Sequence, residues 1–361
     1  LVTQPLVAET LKTEKATLNM QTLSSGLNHP WAMQFLPDGS LLVTERSGSM
    51  RYISKAGEKS EAIQGVPTVH AKGQGGLLGL CLDPAFETNR MIYWVFAEAV
   101  SGGNITAVAK GRLANNDASI ENATVIYRSN TPNASTLHYG GRVLFDKTGN
   151  LIVSIGERSV IETRPLAQAV NSSLGKIVRI TTSGQSAPGN PSFTAAGALP
   201  ELFTIGHRNP QGLAIHPVTK EIWQSEHGPR GGDELNVLEK GKNYGWPVIT
   251  YGINYDGTPI TNITEKAGME QPVKYWTPSI ATCGMTMVTS DKYPAWKGNI
   301  LVAALAATHI ARVEMNGAKA SGEEKLLQGI GRVRQVAQSP DGYIYAVTEG
   351  TGLLIKLLPA N

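Results

Sequence analysis

"WAMQFLPDGSLLVTE" at residues 31–45 and "VRQVAQSPDGYIYAVTE" at 333–349 stand near opposite ends of a 361-residue chain and share one plan. An apolar strand runs into Pro-Asp-Gly, and a second apolar strand leaves it. Asp-Gly supplies the positive backbone angles that a tight hairpin demands. "GRVLFDKTGNLIVSIGE" (141–157) and "GLAIHPVTKEIWQSE" (212–226) keep the same rhythm with other turn residues. "GLLGLCLDPAFETNRMIYWVFAE" (76–98) and "GMTMVTSDKYPAWKGNILVAAL" (284–305) are longer-turned versions. Further short strands follow these pairs: "SMRYIS", "VAKGRLA", "KIVRIT", "ARVEM" and "LLIKLLP".

The strands are rich in Val, Ile, Leu and Tyr, and no 3.6-residue apolar period is sustained, so the chain is predicted to be all-β. Sheets of about four strands repeated radially make a β-propeller, which shields strand edges by closing a ring. Six hairpins predict a six-bladed β-propeller with four-stranded blades. A two-sheet sandwich also uses short strands but does not explain six copies of one hairpin. Residues 1–361 are read as a single propeller domain, with 1–20 as an N-terminal segment able to close the ring. Ligand sites in such a ring collect on loops around the central channel.

Composition agrees. The chain carries 39 Gly, 20 Pro and only 17% charged residues, which suits short strands and tight turns. A net charge of +3 without a basic block argues against a nucleic-acid partner. No run of 18 apolar residues occurs, so no membrane span is expected. The opening "LVTQPLVAETLKTEKATLNM" lacks a basic start followed by a long apolar stretch, so no signal peptide is visible. Cys81 and Cys283 lie in apolar segments; a disulfide, a metal thiolate and two small buried hydrophobes are all open readings.

Polar residues concentrate in "KGQGGLLG" (72–79), "STLHYGGR" (135–142), "IGHRNPQG" (205–212), "SEHGPRGGDELN" (225–236), "KGKNYGWP" (240–247) and "GIGRVRQV" (329–336). Each stands at a similar place relative to the hairpin, so these loops are expected to converge at one end of the channel. Gly and Pro in 225–236 expose carbonyl oxygens, with Asp233 and Glu234 just beyond. Calcium takes six to eight such oxygens, and an ordinary acidic turn is the alternative. His138 is a candidate general base or a loop histidine with a structural partner. Arg332 and Arg334 alternate on a predicted strand and so share a face, which suits an anion with several carboxylates. Gln74 can contact a sugar or tie its own loop together.

The ordered series "HPWAMQFLPDG", "GQGGLLG", "GGRVLFD", "HRNPQGLA", "EHGPRGGDELN", "KGKNYGWP" and "RVRQVAQSPDGYIY" closely resembles the soluble pyrroloquinoline-quinone-dependent aldose sugar dehydrogenases, the glucose/sorbosone dehydrogenase family. The matches run from about residue 27 to 358. The resemblance implies a six-bladed propeller that binds pyrroloquinoline quinone (PQQ) and calcium (Ca2+) and oxidises an aldose to its lactone. It implies that His138 is the base for the anomeric hydroxyl and that Arg208, with Asn209 beside it, stabilises charge on the reduced cofactor. The carbonyls of Gly228 and Pro229 would hold the cofactor's calcium, and Arg332 and Arg334 would grip the cofactor's carboxylates. Gln74 would lie near substrate and cofactor. Glu234 and Tyr244 resemble ligands of a second, structural calcium. An external electron acceptor and a periplasmic or secreted location follow from the same resemblance.

Two positions depart from the pattern. Many members carry a cofactor-contacting lysine where this chain has Ala306, and Asp or Asn where this chain has Leu137 before the histidine. Two other functions use the same fold. A calcium-dependent lactonase-type hydrolase would need His138 and the metal but not the arginine pair. A non-catalytic sugar-binding propeller would tolerate both departures.

Overall fold

A computed structural model describes residues 8–360. Two strands, β1 (Glu9–Lys12) and β2 (Thr17–Ser24), precede the first repeat. The first sheet holds β3 (Pro30–Phe35), β4 (Leu41–Glu45) and β5 (Met50–Ile53). The second holds β6 (Leu77–Leu82), β7 (Met91–Val100), β8 (Gly103–Leu113) and β9 (Ile120–Arg128). In the third are β10 (Val143–Phe145), β11 (Leu151–Ile155), β12 (Lys176–Ile180) and β13 (Leu202–Ile205). β14 (Pro210–Ile215), β15 (Ile222–Glu226), β16 (Asp233–Leu238) and β17 (Lys274–Trp276) make the fourth. The fifth contains β18 (Thr282–Met287), β19 (Ile300–Ala304), β20 (His309–Asn316) and β21 (Lys319–Leu326). β22 (Arg332–Gln338), β23 (Ile344–Glu349) and β24 (Leu353–Pro359) begin the sixth, and β2 and then β1 complete it.

The first strand of each sheet lies against the first strand of the next, from β3 through β6, β10, β14, β18 and β22 back to β3. That closes a ring of six antiparallel blades around a channel. Each of the six predicted hairpins forms the two inner strands of one blade. Their turns close as expected: Gly39 N–H donates to Leu36 O at 2.9 Å and Gly342 N–H to Ser339 O at 2.9 Å.

Blade size varies at the two ends of the chain. The first blade has three strands, and its outer position is reduced to an isolated Ile53–Lys59 bridge. The segment that follows, "SKAGEKSEAIQGVP" (54–67), is too polar and too rich in Gly to pack an outer strand. In the sixth blade β2 pairs antiparallel with β24, placing Leu18 opposite Pro359 and Met20 opposite Leu357, and β1 adds a fifth strand. Between the blades sit fully buried side chains, among them Trp31, Trp94, Trp296, Leu42 and Met50. Each large apolar side chain so buried contributes about 1.5–3 kcal/mol. Among the described residues no helix is long and apolar enough to cross a membrane.

One irregularity recurs where the site lies. The pairing of first and second strands slips between Pro30 and Ala32, Leu77 and Leu80, Pro210 and Gly212, Thr282 and Met285, and Val333 and Gln335. Bulges of this kind bend a strand and re-aim a side chain. They turn Trp31, Gln211, Cys283 and Arg334 toward one another at one end of the channel.

Candidate active site

A cavity of about 240 Å³ opens at that end, lined by Trp31, Arg46, Gln74, Gln211, His227, Leu305, Arg332, Arg334 and Glu349. Gln74, Arg332 and Arg334 thus meet as the sequence suggested. The bulge breaks the simple alternation of the two arginines, leaving Arg332 51% exposed and Arg334 buried. Arg334 is held by the Glu349 carboxylate and by Gln211 Oε1 at 2.9 Å. Glu349 also takes Arg46 at 2.8 Å and His29 at 3.3 Å. Burial pushes its carboxyl up, but Arg334 and Arg46 outweigh that and hold it below the usual carboxylate range. Three guanidiniums against one carboxylate leave the cavity positive.

His138 lies beside this cavity, tied to it by its backbone N–H, which donates to Gln74 Oε1 at 2.9 Å. Gln74 therefore joins two loops rather than bracing only its own. His138 adopts φ +48°, unusual for a side-chain-bearing residue. Gly140 follows at φ +67°, where a Cβ would meet Ser154 O at 2.5 Å. The ring is buried, and its Nδ1 meets Glu157 Oε1 at 2.5 Å. That contact puts the proton on Nδ1 and leaves Nε2 as the free base. Glu157 also receives Trp246 Nε1–H at 3.3 Å and Ser159 N–H at 2.6 Å. Burial, with Arg208 and Arg158 nearby, pushes the His138 imidazole down to about 4 despite Glu157. The base form is therefore present above that value. Turnover limited by this base is expected to fall only as pH drops through about 4, and to be flat in this group from pH 5 upward. A pH profile of kcat/KM checks it, and a half-point near 6.5 would show the imidazole is less buried in solution.

Arg208 and Asn209 stand on the far side of the histidine loop. Asn209 Oδ1 accepts Gly140 N–H at 3.1 Å, and Arg208 Nη1 reaches Gly228 O at 2.6 Å and His227 O at 3.2 Å. Gly228 and Pro229 are buried, and Pro229 O accepts the Ser279 hydroxyl at 3.2 Å. A Cβ at Gly228 would fall 2.3 Å from Gly232 C, so only glycine presents its carbonyl there. Asp233 fixes this turn: it accepts Gly228 N–H at 2.8 Å and the N–H groups of Ile280 and Thr282, each at 3.1 Å.

Glu234 and Tyr244 belong to an outer layer of the same blade. Glu234 stands across from Glu226 in the β15–β16 ladder, with Asn236 Nδ2 at 3.0 Å. Burial and the Glu226 charge push its carboxyl well above the usual range, as a carboxylate without a cation would be. The Tyr244 hydroxyl donates to Val237 O at 2.5 Å, and its ring stacks on His207. Its side chain is thus committed, and only its carbonyl is free to meet a metal. Among the described residues no three His, Cys, Asp or Glu side chains group as a metal cluster. Both Cys81 and Cys283 are buried and unpaired. Ala306 is exposed in the turn after β19, next to Leu305 of the cavity, and Leu137 is 39% exposed beside His138.

The fit to a ligand shows in four buried polar atoms that have no partner: Arg208 Nε, Asn209 Nδ2, His227 Nε2 and Arg334 Nε. Unmade hydrogen bonds are costly, and these cluster beside a positive cavity walled by the Trp31 ring. A planar, oxygen-rich anion suits that lining. Sequence reasoning passed over Glu157, Trp246, Arg46, His227 and Glu349, and gave Asp233 a charge beside the carbonyls rather than the clamp on their turn. A signal for two of them was present: five of the six repeated hairpins end on glutamate, at 45, 98, 157, 226 and 349. Those at 45, 157, 226 and 349 stand at or just past the end of the second strand of their blades, while Glu98 lies within β7 and pairs with Arg128.

Residues 27–356 match the family described as Glucose / Sorbosone dehydrogenase. The aldose sugar dehydrogenase YliI of Escherichia coli (strain K12) is 40% identical over 352 residues, covering 96% of this chain and 94% of that protein. The crystal structure of the soluble aldose sugar dehydrogenase from Escherichia coli in the apo-form superposes with a TM-score of 0.90 at 40% identity, over 95% of this chain and 100% of that one. The PQQ-bound form of the aldose sugar dehydrogenase from Streptomyces coelicolor gives a TM-score of 0.77 at 27% identity, over 98% and 99% of the two chains. Matched over nearly its whole length and built on the same six-bladed ring, the chain belongs to the glucose/sorbosone dehydrogenase family.

Proposed function

We propose that the protein is a PQQ-dependent dehydrogenase that oxidises an aldose at the anomeric carbon to the lactone. The carrying observation is the buried His138–Glu157 pair beside a cavity with three arginines and unpartnered donors. Arg332, Arg334 and Arg46 would bind the cofactor's carboxylates, with Trp31 against its plane. Arg208 and Asn209 carry free donors for its quinone oxygens. The carbonyls of Gly228 and Pro229 fit a calcium seat, since they are buried, oxygen-bearing and clamped by Asp233. Glu234 and the Tyr244 carbonyl fit a second calcium, which would relieve the uncompensated carboxylate. Bound quinone, polarised by calcium, supplies an acceptor for the hydride. His138 Nε2 takes the proton of the anomeric hydroxyl, and Glu157 holds the imidazolium so formed. The same reading places the enzyme in the periplasm or outside the cell, with an external electron acceptor.

Calorimetric titration of metal-stripped protein with PQQ, with and without calcium, tests this. Calcium-dependent uptake followed by bleaching of the quinone on adding aldose is expected. No uptake at about 50 μM, a weak affinity for a cofactor, would sink the reading in favour of a hydrolase or a binding propeller. The exposed Ala306 is the weak point of the cavity. Ala306→Lys is expected to tighten PQQ binding about tenfold or more, the worth of one charged hydrogen bond. Unchanged affinity would show that the 305–308 turn does not reach the cofactor.

A further inference from the structure

Behind the cavity lies a fourth guanidinium that no site reading uses. Arg142 is 4% exposed. Its Nε donates to Gln211 O at 2.8 Å and Nη1 to Gln335 Oε1 at 3.0 Å. Nη2 faces Arg334 O at 3.4 Å and Cys283 Sγ at 3.7 Å, and the guanidinium stacks over the Trp31 ring at 4.2 Å. Trp31, Gln211 and Arg334 all line the cavity, so Arg142 touches three of its walls from behind.

None of these partners is a carboxylate. Among the described residues, several buried cations pair with a carboxylate, Arg334 with Glu349, Arg179 with Asp146, and Arg312 with Glu314 and Glu324, whereas Arg158, Arg208 and Lys176 rest on backbone carbonyls and neutral side chains away from the wall that Arg142 braces. A buried charge without a carboxylate partner is costly, and burial pushes Arg142 down to about 10, with Cys283 acting to raise it and Arg334 to lower it. Arg334 cannot lend its counter-ion, because Glu349 already meets Arg46, Arg332 and Arg334. An anion in the cavity, against the three walls that Arg142 braces, supplies charge that answers it.

We infer that Arg142 is a positioning residue for the cavity's ligand: an inner cation, unanswered by the protein, that biases the cavity toward a polyanion and braces Trp31, Gln211 and Arg334 against it. This rests on the quinone reading. If the ligand is PQQ, the same charge favours its more anionic reduced form and raises its reduction potential.

Arg142→Gln keeps hydrogen-bonding groups and drops the charge, while Arg142→Lys keeps the charge and drops the planar fork. Three quantities are measured on each: thermal unfolding without cofactor, PQQ affinity by calorimetry, and the potential of the bound quinone. The Gln variant is expected to unfold at the wild-type temperature or higher when empty, yet to bind PQQ about tenfold or more weakly. Its bound quinone is expected at a lower potential, about 30 mV for a tenfold loss of preference for the reduced form. The Lys variant is expected to bind within about threefold of wild type. Equal losses in Gln and Lys would mean that shape, not charge, matters, and would overturn the inference. So would a Gln variant that is destabilised when empty but binds PQQ normally. If wild-type protein takes up no quinone, the quinone reading fails by itself, and the empty-protein unfolding still decides whether Arg142 is an unanswered charge.

Discussion

His138→Asn is expected to lower kcat about 10²- to 10⁴-fold, the usual worth of a positioned base, with PQQ affinity nearly unchanged. Asparagine is chosen because it tolerates positive φ better than other polar side chains, and His138 sits at φ +48°. The backbone tie to Gln74 survives, so the loop stays in place. Glu157 keeps Trp246 Nε1–H and Ser159 N–H as partners and is not stranded. The reaction loses only the free Nε2 that accepts the anomeric proton. Steady-state kinetics beside a cofactor titration separate the two effects. A loss below tenfold in kcat would remove His138 from the proton transfer, and an equal loss of PQQ affinity would make its role structural.

Asp233→Ala is expected to cost about 3–5 kcal/mol of stability and to abolish calcium-dependent cofactor binding. Its carboxylate takes three backbone N–H groups from two loops, and all three are buried with it. Leaving buried donors unpaired costs about 1–3 kcal/mol apiece before relaxation. Asp233→Asn is no remedy. Both carboxylate oxygens accept, so either amide orientation turns an N–H against an N–H. The donors include Gly228 N–H, so the Gly228–Pro229 carbonyl pair loses its clamp as the turn relaxes. Urea unfolding gives the stability, and PQQ titration with and without calcium gives the site. Wild-type calcium dependence in a destabilised Asp233→Ala protein would detach the turn from the metal.

The inner hairpins were readable because each announces itself twice, by apolar strands and by a turn whose residues need special backbone angles. The outer strands were not. β21 reads "KASGEEKL" and is largely exposed, so nothing in its pattern separates it from a loop. The missing outer strand of the first blade has the same cause. Around the cavity, the candidates that stand out in the sequence are those with a visible chemical habit: a histidine before two glycines, an arginine pair, a Gly-Pro turn. Glu157 and Glu349 end two of the hairpins, but one acid in a repeat looks like any other until the fold sets a histidine or an arginine opposite it. Arg142 was hidden for a related reason. An arginine with no acid nearby is legible only when burial is known.

The pairing of β2 with β24 gives the ring one seam that no peptide bond crosses. Blade order is cyclic, and Leu18 and Pro359 are cross-strand neighbours, about one strand spacing, ~5 Å, apart. A chain spliced across that gap and opened between two other blades would keep every blade-to-blade contact and rebuild the same circle. The seam belongs to the blade that carries Arg332, Arg334 and Glu349. Filling the cavity therefore steadies the same blade that holds the ring shut, and a seam that frays is felt by the arginines of the cavity.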